Sequence, residues 1–180
     1  MASTISMITQ YWNSLSDADK KVIANLLSSS QRSNTVDFVK LSPSAEMPYQ
    51  GSVQAAGSDL YADLEGKDRV SLAPGEVRKI STGIAIALPE GTFGAIYPRS
   101  GLATKRGLVL ANGTGIIDAD YRGCVIVALK NTSDELQTIE HGERIAQLIV
   151  QPYYTVKFNE VESIGTTARG DAGFGSTGSH

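Results

Sequence analysis

Proline and glycine are missing from the first forty residues and crowd the rest of the chain. All six prolines lie at or after Pro43, and all eighteen glycines at or after Gly51. Both residues interrupt helices. The chain therefore divides into a segment free to be helical and a longer one of short elements joined by turns. In the first segment Ile5, Ile8, Trp12 and Leu15 recur at spacings of three and four, the period of one helical face. Ser16 followed by Asp17 and Asp19 reads as an N-cap with acids in the first turn. Val22, Ile23, Leu26 and Leu27 form a second apolar stripe, and Ser28 to Asn34 reads as a linker. Residues 1–35 are thus expected to be a helical extension, packed on its own domain, docking another protein or stabilising an oligomer.

From Val36 onward the pattern is one of strands. Val36, Phe38 and Val39 open one, Val70-Ser71-Leu72-Ala73 runs into a Pro-Gly turn, and Lys79 to Leu88 alternates apolar with small or polar residues. Cys124 to Leu129 and Ile145 to Val150 read as buried strands. Many short strands with Gly/Pro turns predict a sandwich, barrel or jelly roll.

Composition narrows the function. A net charge of −3 argues against a protein that coats itself in duplex DNA. No apolar run approaches the roughly 18 residues of a membrane span, and no basic stretch followed by an apolar block marks a secretory signal. An intracellular protein, cytoplasmic or nuclear and not secreted, is expected. The single cysteine, Cys124, rules out an internal disulfide, and neither His141 nor His180 sits in a nucleophile motif. An enzyme with this composition is expected to use a carboxylate base.

Five segments carry chemistry. Ala56-Gly57-Ser58-Asp59-Leu60 reads as a turn projecting a carboxylate. Pro98-Arg99-Ser100-Gly101-Leu102-Ala103 offers charged, hydroxyl and amide donors at one point. Asn112-Gly113-Thr114-Gly115-Ile116-Ile117-Asp118-Ala119-Asp120-Tyr121-Arg122-Gly123 opens its backbone to a ligand and carries two acids. These share a face if the stretch is extended and are parted by a turn. Gly142-Glu143-Arg144-Ile145-Ala146-Gln147 places an arginine and a glutamine on a structural strand. Residues 165–180 hold five glycines and one large apolar residue, Phe174, too little to build a core. Four of the eight arginines fall in these segments, which suits a small polyanion.

In this order and at these spacings the five segments resemble the five motifs of the trimeric dUTP diphosphatase (dUTPase) family, over roughly Val36 to Gly178. The resemblance implies an all-β jelly-roll (β-clip) domain over residues 36–164, a glycine-rich arm over 165–180, and a homotrimer whose three active sites draw on all three chains. It implies hydrolysis of dUTP to dUMP and pyrophosphate by water attack on the α-phosphorus. That reaction limits uracil in DNA and supplies dUMP for dTTP synthesis. By resemblance Asp118 is the general base, with Asp120 its rival on residue type alone. Asp59 holds Mg²⁺ through water. Arg99, Ser100, Gly101 and Gln147 contact the phosphates, and Arg144 braces the site. Asn112, Gly115, Ile116, Ile117 and, across a hairpin, Ile126 read uracil, largely through the main chain. Tyr121 lies beneath the deoxyribose. In the arm Phe174 covers the base, while Arg169, Gly175, Ser176 and Thr177 close on the γ-phosphate. No direct nucleic-acid contact and no membrane are implied; a protein partner of the N-terminal helices is an open expectation.

The sequence departs from the family in two places. Ala172 stands where the arm usually has glycine, and the helical extension has no counterpart. The related dCTP deaminases carry a catalytic glutamate on the strand after the third motif; here that position is Ala128, which cannot transfer a proton.

Overall fold

A computed structural model of the chain describes residues 3–30 and 35–171. Two helices come first, α1 (Thr4–Ser14) and α2 (Asp17–Ser30). The Ser3 hydroxyl accepts the Ser6 amide at 3.3 Å and the Ser16 hydroxyl accepts that of Asp19 at 3.1 Å, so both helices start on serine caps. Helix α2 continues through Ser30, which takes the first three residues of the expected linker into the helix. No residue from Ser3 to Ile23 is buried. Ile5, Met7, Ile8, Tyr11 and Trp12 of α1 and Val22 of α2 are exposed.

The domain consists of β1 (Asp37–Lys40), β2 (Tyr49–Gln50), β3 (Ser58–Tyr61), β4 (Arg69–Leu72), β5 (Val77–Ser81), β6 (Ile84–Ala87), β7 (Thr92–Pro98), the short helix α3 (Ser100–Arg106), β8 (Leu108–Leu110), β9 (Gly115–Ile117), β10 (Ile126–Asn131), β11 (Gln137–Glu140) and β12 (Arg144–Pro152). The largest sheet runs β2-β3-β12-β7-β9; smaller ones are β5-β10-β8, β1-β6 and β11-β4. Among the described residues every pairing is antiparallel. Successive side chains of a strand point to opposite faces, and inward positions such as Leu60, Leu72, Ile84, Val127, Leu129, Ile139 and Ile145 are fully buried in one continuous core. The expected all-β architecture is what forms.

The alternating run from Lys79 to Leu88 is two strands rather than one. Gly83 has φ +65° and separates β5 from β6, and a Cβ there would collide with the Asp63 carboxylate and Ala45. Thr82 closes the break by donating its hydroxyl to the Val125 carbonyl at 2.7 Å. Asp63 is 2 % exposed. Its carboxylate accepts the hydroxyls of Ser42 and Ser44 and the Glu65 amide, so it pins the entry segment to the domain. His141 stands 3.8 Å away, and its Nδ1 accepts the Leu64 amide. Burial alone raises the Asp63 pKa, but these hydrogen bonds, with His141 beside them, outweigh it and hold the carboxyl below its ordinary value.

The last strand ends at Pro152. Residues 153–171 carry no strand and expose Tyr154, Phe158 and Ile164 almost completely.

A depressed folded-state pKa stabilises the protein above the unfolded value, about 4, and that contribution fades as pH falls through the lower folded value. Thermal unfolding from neutral pH into acid should therefore cost the wild type more stability than Asp63→Asn, with the two curves converging at low pH. Parallel curves would contradict the role given to Asp63.

Candidate functional site

Asp59 lies on β3 rather than in a turn, directly opposite Gln147 on β12. The strand places its carboxylate, 16 % exposed, between two guanidinium groups. Arg99 Nε stands 3.0 Å from Oδ1 and Arg144 Nη1 stands 3.2 Å from Oδ2. Arg99 also donates to the Arg144 carbonyl at 3.2 Å, and Gln147 donates to the Pro98 carbonyl at 3.0 Å. All three charges thus keep partners, and Asp59, the most buried, has two. Sequence reasoning assigned Arg144 to bracing, and its bond to Asp59 is of that kind.

Pro98 ends β7 and Ser100 opens α3, so the second motif is a strand-to-helix connection that also faces the ion cluster. Asp59, Arg99, Ser100, Gly101 and Gln147 line one open pocket of about 210 Å³. A Cβ on Gly101 would meet nothing within 4 Å, which leaves its backbone open to a ligand. Gly57 is needed for the opposite reason: a Cβ there would lie 2.9 Å from Gln147 Oε1. A larger groove of about 380 Å³, with Phe38, Met47 and Leu148 in its wall, has no charged residue and offers nothing to neutralise a polyanion.

The third motif sits elsewhere in the chain. β9 is the edge of its sheet, paired with β7 on one side only among the described residues. One row of its backbone donors and acceptors therefore faces away from the ladder. A turn closed by the Tyr121 amide on the Asp118 carbonyl at 3.1 Å follows, and it parts Asp118 from Asp120. Arg122, one of the four arginines that fall in the five segments, holds this turn through bonds to the Ala119 and Tyr121 carbonyls at 2.7 and 2.9 Å. Tyr121 donates its hydroxyl to the Cys124 carbonyl at 3.0 Å, and the ring fits only because residue 123 is glycine. Ile116 and Ile126 are both exposed, but β9 and β10 belong to different sheets. The hairpin ladder implied between them does not form, because β10 is the central strand of its own sheet, between β5 and β8. Asn112 is exposed in the turn before β9.

In the register of β7 and β9, Gly115 faces Ile96 and Ile117 faces Gly94. Asp118 thus falls near the level of Phe93, five residues from Pro98. At 3.4 Å per residue that is about 17 Å along the strand. Within one chain Asp118 and the Arg99–Ser100 cluster stand apart. Arg169 is among the described residues; Phe174, Gly175, Ser176 and Thr177 lie outside them, as does Ala172.

The dUTPase family model matches residues 43–178. The chain belongs to the dUTPase family. It is 46% identical over 149 residues to the deoxyuridine 5'-triphosphate nucleotidohydrolase of Corynebacterium efficiens, covering 81% of this chain and 80% of that one. It is 45% identical over 145 residues to that of Escherichia phage T5, covering 78% and 97%. The structure of Staphylococcus bacteriophage 80alpha dUTPase with dUpNHpp is similar, with 32% identity, a TM-score of 0.70, and coverage of 81% and 99%. A mutant dUTPase from phage phi11 of S. aureus, described as coordinating a structural Mg(II) ion, is similar with 28% identity and a TM-score of 0.66 over 74% of this chain and all of that one. The family match begins beyond α1 and α2, so the helical hairpin is an addition to the family domain.

The geometry around Gly57 gives a direct test. Gly57→Ala should push Gln147 off the Pro98 carbonyl and raise KM for dUTP about tenfold, the equivalent of one charge-assisted contact, with Tm nearly unchanged. An unaltered KM would remove Gln147 from the site.

Proposed function

We propose that this chain hydrolyses dUTP to dUMP and pyrophosphate, as a dUTP diphosphatase. The observation that carries the reading is the cluster of Arg99, Arg144 and Gln147 around Asp59, open beside Ser100 and Gly101 on a family domain. A triphosphate carries about four negative charges, and guanidinium, hydroxyl and backbone amide donors are the groups that bind them best. Arg99, Ser100, Gly101 and Gln147 bind the phosphates in this reading, and Arg144 holds Asp59 in place.

Among the described residues no group of three or more His, Cys, Asp or Glu side chains gathers to hold a metal. Both Asp59 oxygens already face arginines. That donor set fits a hydrated Mg²⁺ carried by the triphosphate, with Asp59 reaching it through water, because Mg²⁺ keeps several of its waters. When bound, the ion supplies neutralisation of phosphate charge.

Asp118 takes the proton from the attacking water. Its carboxylate is exposed after β9, free of ion pairs among the described contacts of the turn. The unladdered row of β9 supports recognition of uracil by the backbone of Gly115, Ile116 and Ile117, with Asn112 and Ile126 beside it. A fixed donor–acceptor pattern rejects cytosine by leaving groups unpaired. Tyr121, held over Gly123, stands under the sugar and leaves no room for a 2′-hydroxyl. The arm supplies Arg169, Phe174, Gly175, Ser176 and Thr177 as a lid that excludes bulk water.

The base lies about five residues, roughly 17 Å of strand, along β7 from the phosphate cluster, so in this reading other copies complete the site. A homotrimer, with Asp118 from one chain and the Arg99 cluster from another, is the assembly this reading requires. The exposed apolar residues Tyr154, Phe158 and Ile164 suit a segment that crosses to a neighbour. Residues 1–35 stand outside this machinery, with Ile5, Ile8 and Tyr11 exposed, and a protein partner of that hairpin is compatible with the same catalysis.

Pyrophosphate release should be measured over dUTP, dCTP, dTTP and UTP with Mg²⁺, and dUTP alone should turn over rapidly. Asp118→Asn keeps the size of the side chain and removes its basicity, so turnover should fall by about 10²–10⁴-fold with dUTP binding retained. Wild-type turnover by that variant would exclude Asp118 as the base.

A further inference from the structure

We infer that the ion pair between Arg106 and Glu143 is a positioning device for the phosphate cluster: it fixes α3 against the start of β12 and so sets the spacing between Ser100–Gly101 and Arg144–Gln147. Helix α3 has seven residues, far below the length at which a helix holds itself in water. Its N-cap residue, Arg99, makes no side-chain cap bond, and Leu102 is its one buried residue. The orientation of α3 must therefore be fixed at its ends.

The N-terminal end is tied to β12 by Arg99 on the Arg144 carbonyl and Gln147 on the Pro98 carbonyl. The C-terminal end is tied by Arg106, the last residue of the helix. Its Nη1 donates to Glu143 Oε1 at 2.5 Å, its Nε to Gln137 Oε1 at 3.2 Å, and its Nη2 to the Thr138 carbonyl. Glu143 turns its other oxygen to the Glu140 amide at 3.1 Å, which closes the β11–β12 turn. Arg144 follows directly in the chain. Thus α3 and the start of β12 are joined at both ends, and the cluster that meets the phosphates lies along the joined face.

Neither Arg106 nor Glu143 lines the phosphate pocket. Their side chains are 30% and 23% exposed, which shields the pair more than a surface salt bridge. Both are positioning residues rather than catalytic ones. A displacement near 1 Å of the groups that hold the phosphates misplaces the α-phosphorus against the base, which costs about 10²-fold in rate, so slack in this tie shows in turnover as well as in binding.

The test is steady-state hydrolysis of dUTP by the full chain carrying Arg106→Gln, Glu143→Gln, both together, or Arg106→Lys, assayed well below each variant's Tm. Each glutamine variant should lose about 10–100-fold in kcat/KM, with kcat falling as well as KM rising. The double variant should be no worse than either single one, because the two side chains act as a unit. Arg106→Lys keeps the charge opposite Glu143 and should recover part of the rate. Wild-type kcat in folded glutamine variants, or losses that multiply in the double variant, would overturn the inference. Glu143→Gln is isosteric and can still accept the Glu140 amide, so it carries the test even where Arg106→Gln does not fold. The inference rests on the dUTP reading of this site. A wild-type protein inactive on dUTP would overturn that reading, whereas an active wild type with indifferent variants overturns the tie alone.

Discussion

One carboxylate held between two guanidinium groups organises the site. Asp59 sits on β3, Arg99 follows β7, and Arg144 opens β12, so their two ion pairs join three neighbouring strands of one sheet at a single point. Asp59 is the most buried of the three charges, and without the arginines it would be left uncompensated. With Asp59 between them, both arginines stay at the pocket with donors to spare, since each guanidinium carries five N–H groups.

The sheet then decides what one chain is able to do. β12 is central, with β3 on one side and β7 on the other, and it gathers the first, second and fourth motifs. The third motif is carried on β9 at the far side of β7, with Asp118 toward the opposite end of that strand. The two parts of the candidate site thus lie toward opposite ends of β7 within one protomer. After Tyr153, whose ring meets Phe93, the stretch leaves Tyr154, Phe158 and Ile164 exposed among the described residues. Assembly and catalysis are in this account one problem.

Much of this was legible in the sequence because turns and strands leave local signals. The absence of Gly and Pro before residue 41 announced the helices, and the serine caps fixed where they start. The five segments announced the site because each concentrates donors or acids that a core does not need. What was not legible depended on contacts between distant residues. Asp59 read as a turn residue because Gly57 precedes it, yet Gly57 is there to admit Gln147, ninety residues on. The break at Gly83 is set by Asp63 and Ala45, and nothing in the alternation of Lys79 to Leu88 shows them. A hairpin seemed natural between Ile116 and Ile126, but the choice of β7 as the partner of β9 is a tertiary one. Arg106 gave no signal at all, since a basic residue at the end of a helix is ordinary.

The central claim is that no single chain holds a complete site, and subunit mixing tests it most directly. Full-length protein carrying Asp118→Asn is co-refolded with a chain lacking residues 166–180, each inactive alone. Mixed oligomers should then hydrolyse dUTP well above the sum of the two parents, because one chain brings the base and another the arm. Activity no greater than that sum, in oligomers proven to contain both chains, would contradict the claim.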